Sequence, residues 1–168
     1  PNPRTTCLQE VLKQEGYSTH WFHGNTKRFF RREAFFLRHG FDKLHDEDYL
    51  NEINLEHEVL GWGVPDTDMM HYAVETLKQG EKPFFAEIMT LSNHHPFNWE
   101  WPISFPEEMR PESEHPMDLY RHGIFFTDHA MGLLVQLLEE AGLRENTILD
   151  FKRQELTPKA VGDISGSR

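Results

Sequence analysis

Apolar positions recur at helical spacing over residues 5–16 (TTCLQEVLKQEG), where Leu8, Val11 and Leu12 share one side and Gly16 stops the run. The period then shortens, and YSTHWF reads as a strand, so helix, Gly, Tyr and strand form an α/β connection. Residues 27–39 return to a helical pattern, and HGFDKLHDEDY is a loop opened by Gly40. From Asp66, the predicted N-cap, DTDMMHYAVETLKQG forms an amphipathic helix ending at Gly80. KPFFAEIMTL follows as a buried strand, and residues 98–118 are an irregular stretch rich in Pro, Glu and Trp. The longest period runs from Leu119 to Ala141 through Ile124, Met131, Leu134, Val135 and Leu138. Gly142 ends it, and NTILDF is a further strand. The order predicts an α/β layered sheet without internal repeats.

Composition narrows the class. Hydrophobic residues make 38% of the 168, with 13 Phe and 4 Trp, enough for a core. No apolar run approaches the ~20 residues of a bilayer span, and no basic-then-apolar leader opens the chain. The start at Pro1 without Met suits an excised fragment. A net charge of −11 argues against nucleic acid as a partner. One cationic cluster stands against that background, Lys27, Arg28, Arg31 and Arg32, and suggests a small anionic ligand. A lone Cys7 excludes an internal disulfide and a cysteine-based metal site.

Ligands collect at the carboxyl ends of strands in α/β sheets. Two candidate segments lie there, HWFHGNTKRFFRR and SNHHPFNW. In the first, His23 with the arginines after it has the donors for a phosphate or sulfate group. A turn histidine before a solvated basic helix is the plainer alternative. In the second, His94 and His95 precede Pro96, which holds the preceding residue extended. Neighbouring side chains there point to opposite sides, so a metal shared by the pair is disfavoured and one imidazole faces any site. Polar loop histidines are the alternative.

Other motifs carry less. Asp128 and His129 fall in the long helix, about 100° apart, and read as helix-face residues. Asp46, Glu47 and Asp48 lack the glycine and terminal glutamate of a calcium loop and read as solvated. Trp99 and Trp101 line a pocket or cover the irregular stretch. No G-x-S-x-G, phosphate-cradling glycine loop or cluster of Asp and His metal ligands is present.

Four segments in order, LQEVLKQEGYSTHWFHGN, HGFDKLHDEDY, GWGVPDTDMMHYAVETLKQGEKPFFAEIMTLSNHHPF and FFTDHAMGLLVQLLEEAGLRENTIL, carry a resemblance over residues 5–150. The chain resembles bacterial membrane-anchored sulfatase-like proteins, most of all the lipoteichoic acid synthase and phosphoglycerol transferase branch of the alkaline phosphatase superfamily. The resemblance implies an alkaline-phosphatase-like α/β/α layered sheet, here a partial domain. It places that domain outside the cytoplasm, periplasmic or extracellular, behind transmembrane helices in the parent protein's inner or plasma membrane. It implies a threonine nucleophile acting on a phosphoglycerol headgroup with a divalent metal, Mn or Mg, that polarises the phosphoryl oxygens. His23 matches a substrate-binding histidine, Arg32 a phosphate-binding arginine, and His94 the active-site histidine of an N-H-x-P-F segment. Phe30, the third substrate-binding candidate beside His23 and Arg32, stands where lipoteichoic acid enzymes usually carry tryptophan, which leaves the headgroup open. His23, Arg32 and His94 are expected to converge on one pocket.

The resemblance also marks what is missing. The nucleophile and first acidic metal ligand would lie before Pro1. The Asp-His metal pair would follow NTIL in a Gly-Asp-His-Gly pattern, but Gly162-Asp163 is followed by Ile164, so no metal ligand is assigned in this chain. Residues 1–151 are therefore the central part of a sulfatase-like catalytic domain, and 152–168 a divergent, unstructured tail. The leading expectation is a fragment of a phosphoglycerol- or phosphoethanolamine-type transferase acting on anionic lipid headgroups of the cell envelope, inactive alone. A sulfuric ester hydrolase is the second reading, although Cys7-Leu-Gln-Glu is not a C-x-P-x-R segment. A degenerate anion-binding module keeping His23, Arg32 and His94 is the third.

Overall fold

The computed structural model describes residues 6–109 and 115–152. Three parallel strands make one sheet in the order β2–β1–β3: β1 is Ser18–His23, β2 Lys43–His45 and β3 Phe84–Met89. The helices are α1 Leu8–Gln14, α2 Arg32–Arg38, α3 Glu47–Glu52, α4 Asp66–Gln79 and α5 Pro116–Glu140. β1 lies in the middle, and its alternate side chains feed two cores. Phe22 packs with Leu50, Val64, Met69, Ala73 and Leu77 beneath α4. On the other face, Trp21 packs with Phe36 of α2 and with Phe41. α5 lies against α4 through Met70, Val74, Ala130, Leu134 and Leu138. The result is the expected α/β/α layering, with every strand's carboxyl end at one edge.

The buried stripe of α5 runs His122, Phe126, Ala130, Leu134 and Leu138, so Ile124 of the predicted face is exposed. α1 ends as predicted, with Gly16 at φ 88°, but Leu8 and Val11 of its apolar side stay exposed.

Four expectations are corrected. The loop HGFDKLHDEDY contains β2 and α3, because its backbone pairs with β1 from His20↔Lys43 to Phe22↔His45. The acidic run there is not solvated: Asp46 is fully buried and caps α3, its carboxylate accepting from Tyr49 N–H, Lys27 N–H and Lys27 Nζ. The helix expected over 27–39 is broken, since Phe30 (φ 51°) and Arg31 (φ 58°) are left-handed and α2 starts only after them. NTILDF joins no ladder: Thr147 is extended, but Ile148 is 96% exposed. The tail assigned to 152–168 lies outside the described residues except for Lys152.

Candidate functional site

β1 ends in His23 and β3 ends in Met89, and the two residues are paired in register. His23 is buried, and its Nδ1–H donates to the Met89 carbonyl at 2.9 Å. With Nδ1 so committed, the neutral ring leaves Nε2 as an acceptor. Nε2 is buried and has no partner. Burial pushes the imidazole down to about 4; the Met89 bond opposes this, the Arg32 cation adds to it, and Asp46 opposes it. His23 is therefore neutral near pH 7.

Arg32 opens α2 and is half-buried. Its Nη1 donates to Asn25 Oδ1 at 3.4 Å, and its guanidinium lies 5.3 Å from the Phe29 ring centroid. Burial lowers its pKa from a value so high that the charge persists. Asn25 in turn donates Nδ2 to the Trp62 carbonyl at 2.7 Å. Trp62 turns to the other segment, donating Nε1–H to the His95 carbonyl at 3.0 Å while its ring lies 4.8 Å from that of His94. His94 is exposed, its Nδ1–H donating to the His95 carbonyl at 2.8 Å. The His95 ring turns instead toward Phe97, 5.6 Å away. The two histidines thus have different ring neighbours: His94 meets the path to Arg32 with its ring, His95 only with its backbone carbonyl. His23, Arg32 and His94 lie at the carboxyl edge; Arg32 and His94 are linked through Asn25 and Trp62, and His23 feels the charge of Arg32. Phe30 stands apart at the rim, 84% exposed, its ring against Phe29.

Two devices hold these loops together. Gly24 accepts from Val64 N–H at 2.8 Å, and the chains pass so closely that a Cβ on Gly63 would lie 2.0 Å from the Gly24 oxygen. The second device corrects the N-cap expectation. Pro65 occupies the cap of α4, while the Asp66 side chain is buried and accepts from Leu91 N–H at 2.7 Å and Ser92 N–H at 3.2 Å. Ser92 Oγ returns a bond by accepting from Asp66 N–H at 3.0 Å. This clasp fixes the chain two residues before His94.

Asn25, Trp62, Asp46 and Asp66 were not among the predicted site residues. Trp62 did carry a signal, a bulky indole between two glycines and just before a helix. The two tryptophans after the histidine pair divide: Trp99 lies so close to Gly61 that a Cβ there would sit 2.6 Å from its ring, whereas Trp101 packs on Phe126 of α5. Asp128 and His129 are exposed on α5, as expected of helix-face residues.

The family resemblance implies a divalent metal, and the described residues do not supply its site. No group of three or more His, Cys, Asp or Glu side chains among them is placed to hold an ion. Asp46 and Asp66 already have their oxygens engaged by the donors named above.

The sulfatase family profile matches residues 1–151. Phosphoglycerol transferase I of Xanthomonas campestris is 28% identical over 96% of this chain, which spans 24% of that protein. The chain thus covers about a quarter of the length of the curated relatives it matches. Among solved structures, the lipoteichoic acid synthase LtaP of Listeria monocytogenes superposes with a TM-score of 0.63 at 24% identity, covering 79% of this chain and 32% of that one. The periplasmic domain of Escherichia coli EptC, solved in complex with Zn, superposes with a TM-score of 0.56 at 17% identity, covering 80% and 39%. Both share the fold whose strand edge carries His23, Arg32 and His94, and the profile match establishes that the chain belongs to the sulfatase family.

Proposed function

We propose that this chain is the headgroup-binding part of a phosphoglycerol transferase acting on lipid headgroups at the cell envelope. The observation that carries the reading is His23 Nε2, a buried acceptor without a partner beside the Arg32 guanidinium. An unpaired buried acceptor costs roughly 1–3 kcal/mol, which a donating ligand recovers. Arg32 supplies the charge and fork for a phosphoryl group, and neutral His23 accepts from a hydroxyl. A hydroxyl suits this acceptor better than an ammonium, which the neighbouring Arg32 cation repels. That favours phosphoglycerol over phosphoethanolamine. His94, with Nδ1–H committed to the His95 carbonyl, offers Nε2 at the entrance for proton transfer to or from a reacting oxygen. Phe30 lines the rim on the lipid side of the headgroup.

In the complete protein, the threonine nucleophile and a divalent metal, Mn or Mg, complete the site with residues outside those described. The parent is held in the membrane by its own helices, with this domain extracytoplasmic. No helix among the described residues is long and apolar enough to cross a membrane. The curated relative's phosphoglycerol chemistry supports the transferase reading over ester hydrolysis.

The test is titration of the 168-residue chain with sn-glycerol-1-phosphate, O-phosphoethanolamine and inorganic phosphate, followed by NMR of the histidine rings. Glycerol phosphate should bind best and shift His23, and Arg32→Ala should weaken it at least tenfold. Equal or tighter binding of phosphoethanolamine would defeat the glycerol assignment.

A further inference from the structure

Residues 28–32, Arg-Phe-Phe-Arg-Arg, form an exposed tip that runs from the β1–α2 connection into the first residue of α2. Within it Phe30 is 84% exposed and Phe29 43% exposed, the two rings meeting at 4.3 Å. Phe30 and Arg31 both hold left-handed backbone, φ 51° and 58°. Neither residue type favours that region, and such strain persists where the surroundings or a function require it. The tip is also the cationic exception in an acidic chain: residues 27–32 carry Lys27, Arg28, Arg31 and Arg32 and no acid, against a net charge of −11. Asp46 neutralises Lys27, but Arg28, although bonded to Asp48, remains 75% exposed, and Arg31 is exposed.

From these features we infer that the 28–32 tip docks on an anionic bilayer surface, Phe29 and Phe30 entering the headgroup–acyl boundary while Arg28 and Arg31 meet lipid phosphates. The inference rests on the lipid-headgroup reading of the adjoining site. Exposed aromatic rings flanked by cations gain from both halves of an anionic interface. A soluble polyanion would reward the arginines alone and leave two exposed rings in water. The position agrees with the chemistry, since Arg32, two residues from Phe30, belongs to the candidate headgroup site and a lipid brought there enters from the membrane side.

Co-sedimentation of the 168-residue chain with phosphatidylglycerol and phosphatidylcholine vesicles tests this at low and high salt. Binding should favour phosphatidylglycerol and weaken with salt. Phe30→Ser should lower it at least tenfold and Phe30→Trp should preserve it; the exposure of Phe30 lets both variants keep the fold, as circular dichroism would verify. Arg31→Ser should weaken vesicle binding severalfold and leave binding of soluble sn-glycerol-1-phosphate intact. Vesicle binding that is absent, or indifferent to Phe30→Ser, overturns the inference, as does heparin binding of equal strength that tracks the arginines alone. Vesicle binding that tracks Phe30 in a chain that does not bind soluble glycerol phosphate would instead overturn the headgroup assignment and leave the docking surface standing.

Discussion

His20 and His45 are bonded ring to ring inside the sheet, with His20 Nδ1 3.1 Å from His45 Nε2. The pair belongs to a longer chain of bonds. His45 Nδ1 lies 2.9 Å from the Tyr72 hydroxyl, His20 Nε2 lies 3.3 Å from Ser18 Oγ, and Ser18 Oγ donates to the Glu81 carbonyl at 3.0 Å. Because that carbonyl only accepts, one direction satisfies every group. Tyr72 donates to His45, His45 to His20, His20 to Ser18, and Ser18 to Glu81. Both imidazoles are then neutral. Burial, with His20 and Lys43 adding to it, pushes His45 down to about 3. Burial and Lys43 also lower His20, against the opposing charge of Asp42. Burial pushes the Tyr72 hydroxyl up to about 12, which keeps its proton in place.

Acid should therefore weaken the fold through these rings. Unfolded histidine takes a proton near pH 6.5, while folded His45 resists until about 3, so the unfolded state binds more protons between those values. The contribution is present above pH 6.5 and is lost as pH falls through that window, by up to about 1.4 kcal/mol per pH unit for one group. His23 adds to the loss down to about 4. Urea denaturation at several pH values should show stability falling below pH 6.5, and His45→Gln should make the fall shallower. An unchanged slope would contradict the neutral pair.

What could be read from the chain was what its periodicity carried. α4 and α5 bury long helical stripes, β3 is a largely apolar run, and β1 is a short β-branched and aromatic stretch between Gly16 and Gly24, so their existence is a local property. β2 is three residues, two of them polar, and becomes a strand only because β1 offers it a ladder. Residues 27–39 have a helical composition, but Asp46 takes the Lys27 N–H and two left-handed residues intervene before α2. The site followed the same rule. His23, Arg32 and His94 were singled out as candidates from motif and strand ends, whereas Asn25, Trp62 and Asp66 join the candidate site through loops distant in sequence. Their roles arise only when those loops meet.

Two glycines should respond oppositely to alanine. In Gly63→Ala the new Cβ would lie 2.0 Å from the backbone oxygen of Gly24, an atom that cannot rotate aside. A loss of about 1–3 kcal/mol is expected from the forced backbone shift, together with weaker glycerol phosphate binding because Trp62 adjoins it. Gly132 sits within α5 with nothing within 4 Å of its Cβ position, so Gly132→Ala should gain up to about 1 kcal/mol from helix propensity. Thermal unfolding of the two variants beside the parent chain decides both signs.

The Asp66 clasp gives a third test. Asp66→Ala leaves the buried Leu91 and Ser92 N–H groups unpaired, an expected loss of about 2–5 kcal/mol. Asp66→Asn keeps one accepting oxygen and should lose less. Its pH effect has the opposite sign to that of His45. Burial raises the carboxyl from 3.8 to about 6, against bonds from Leu91 and Ser92, so between those values the folded state binds the extra proton. Its contribution is present below 3.8 and lost as pH rises through about 6. Denaturation midpoints of Asp66→Asn from pH 4 to 7 should therefore drift upward with pH relative to the parent chain, and a parallel profile would refute the assignment.

Turnover should separate from binding. On the proposed headgroup side, His23 and Arg32 are held by β1, α2 and the Asn25–Trp62 link, contacts made between protein groups alone. The reacting side calls for a nucleophile and an ion, and the described residues hold no group of three or more possible ligands. Binding of glycerol phosphate by the 168-residue chain should accordingly be unchanged by manganese or by a chelator. Release of glycerol phosphate from phosphatidylglycerol, followed by phosphorus NMR, should stay at the uncatalysed level with and without manganese. Metal-dependent turnover by this chain would show that its own residues complete the reacting half, and the division of the site proposed above would fail.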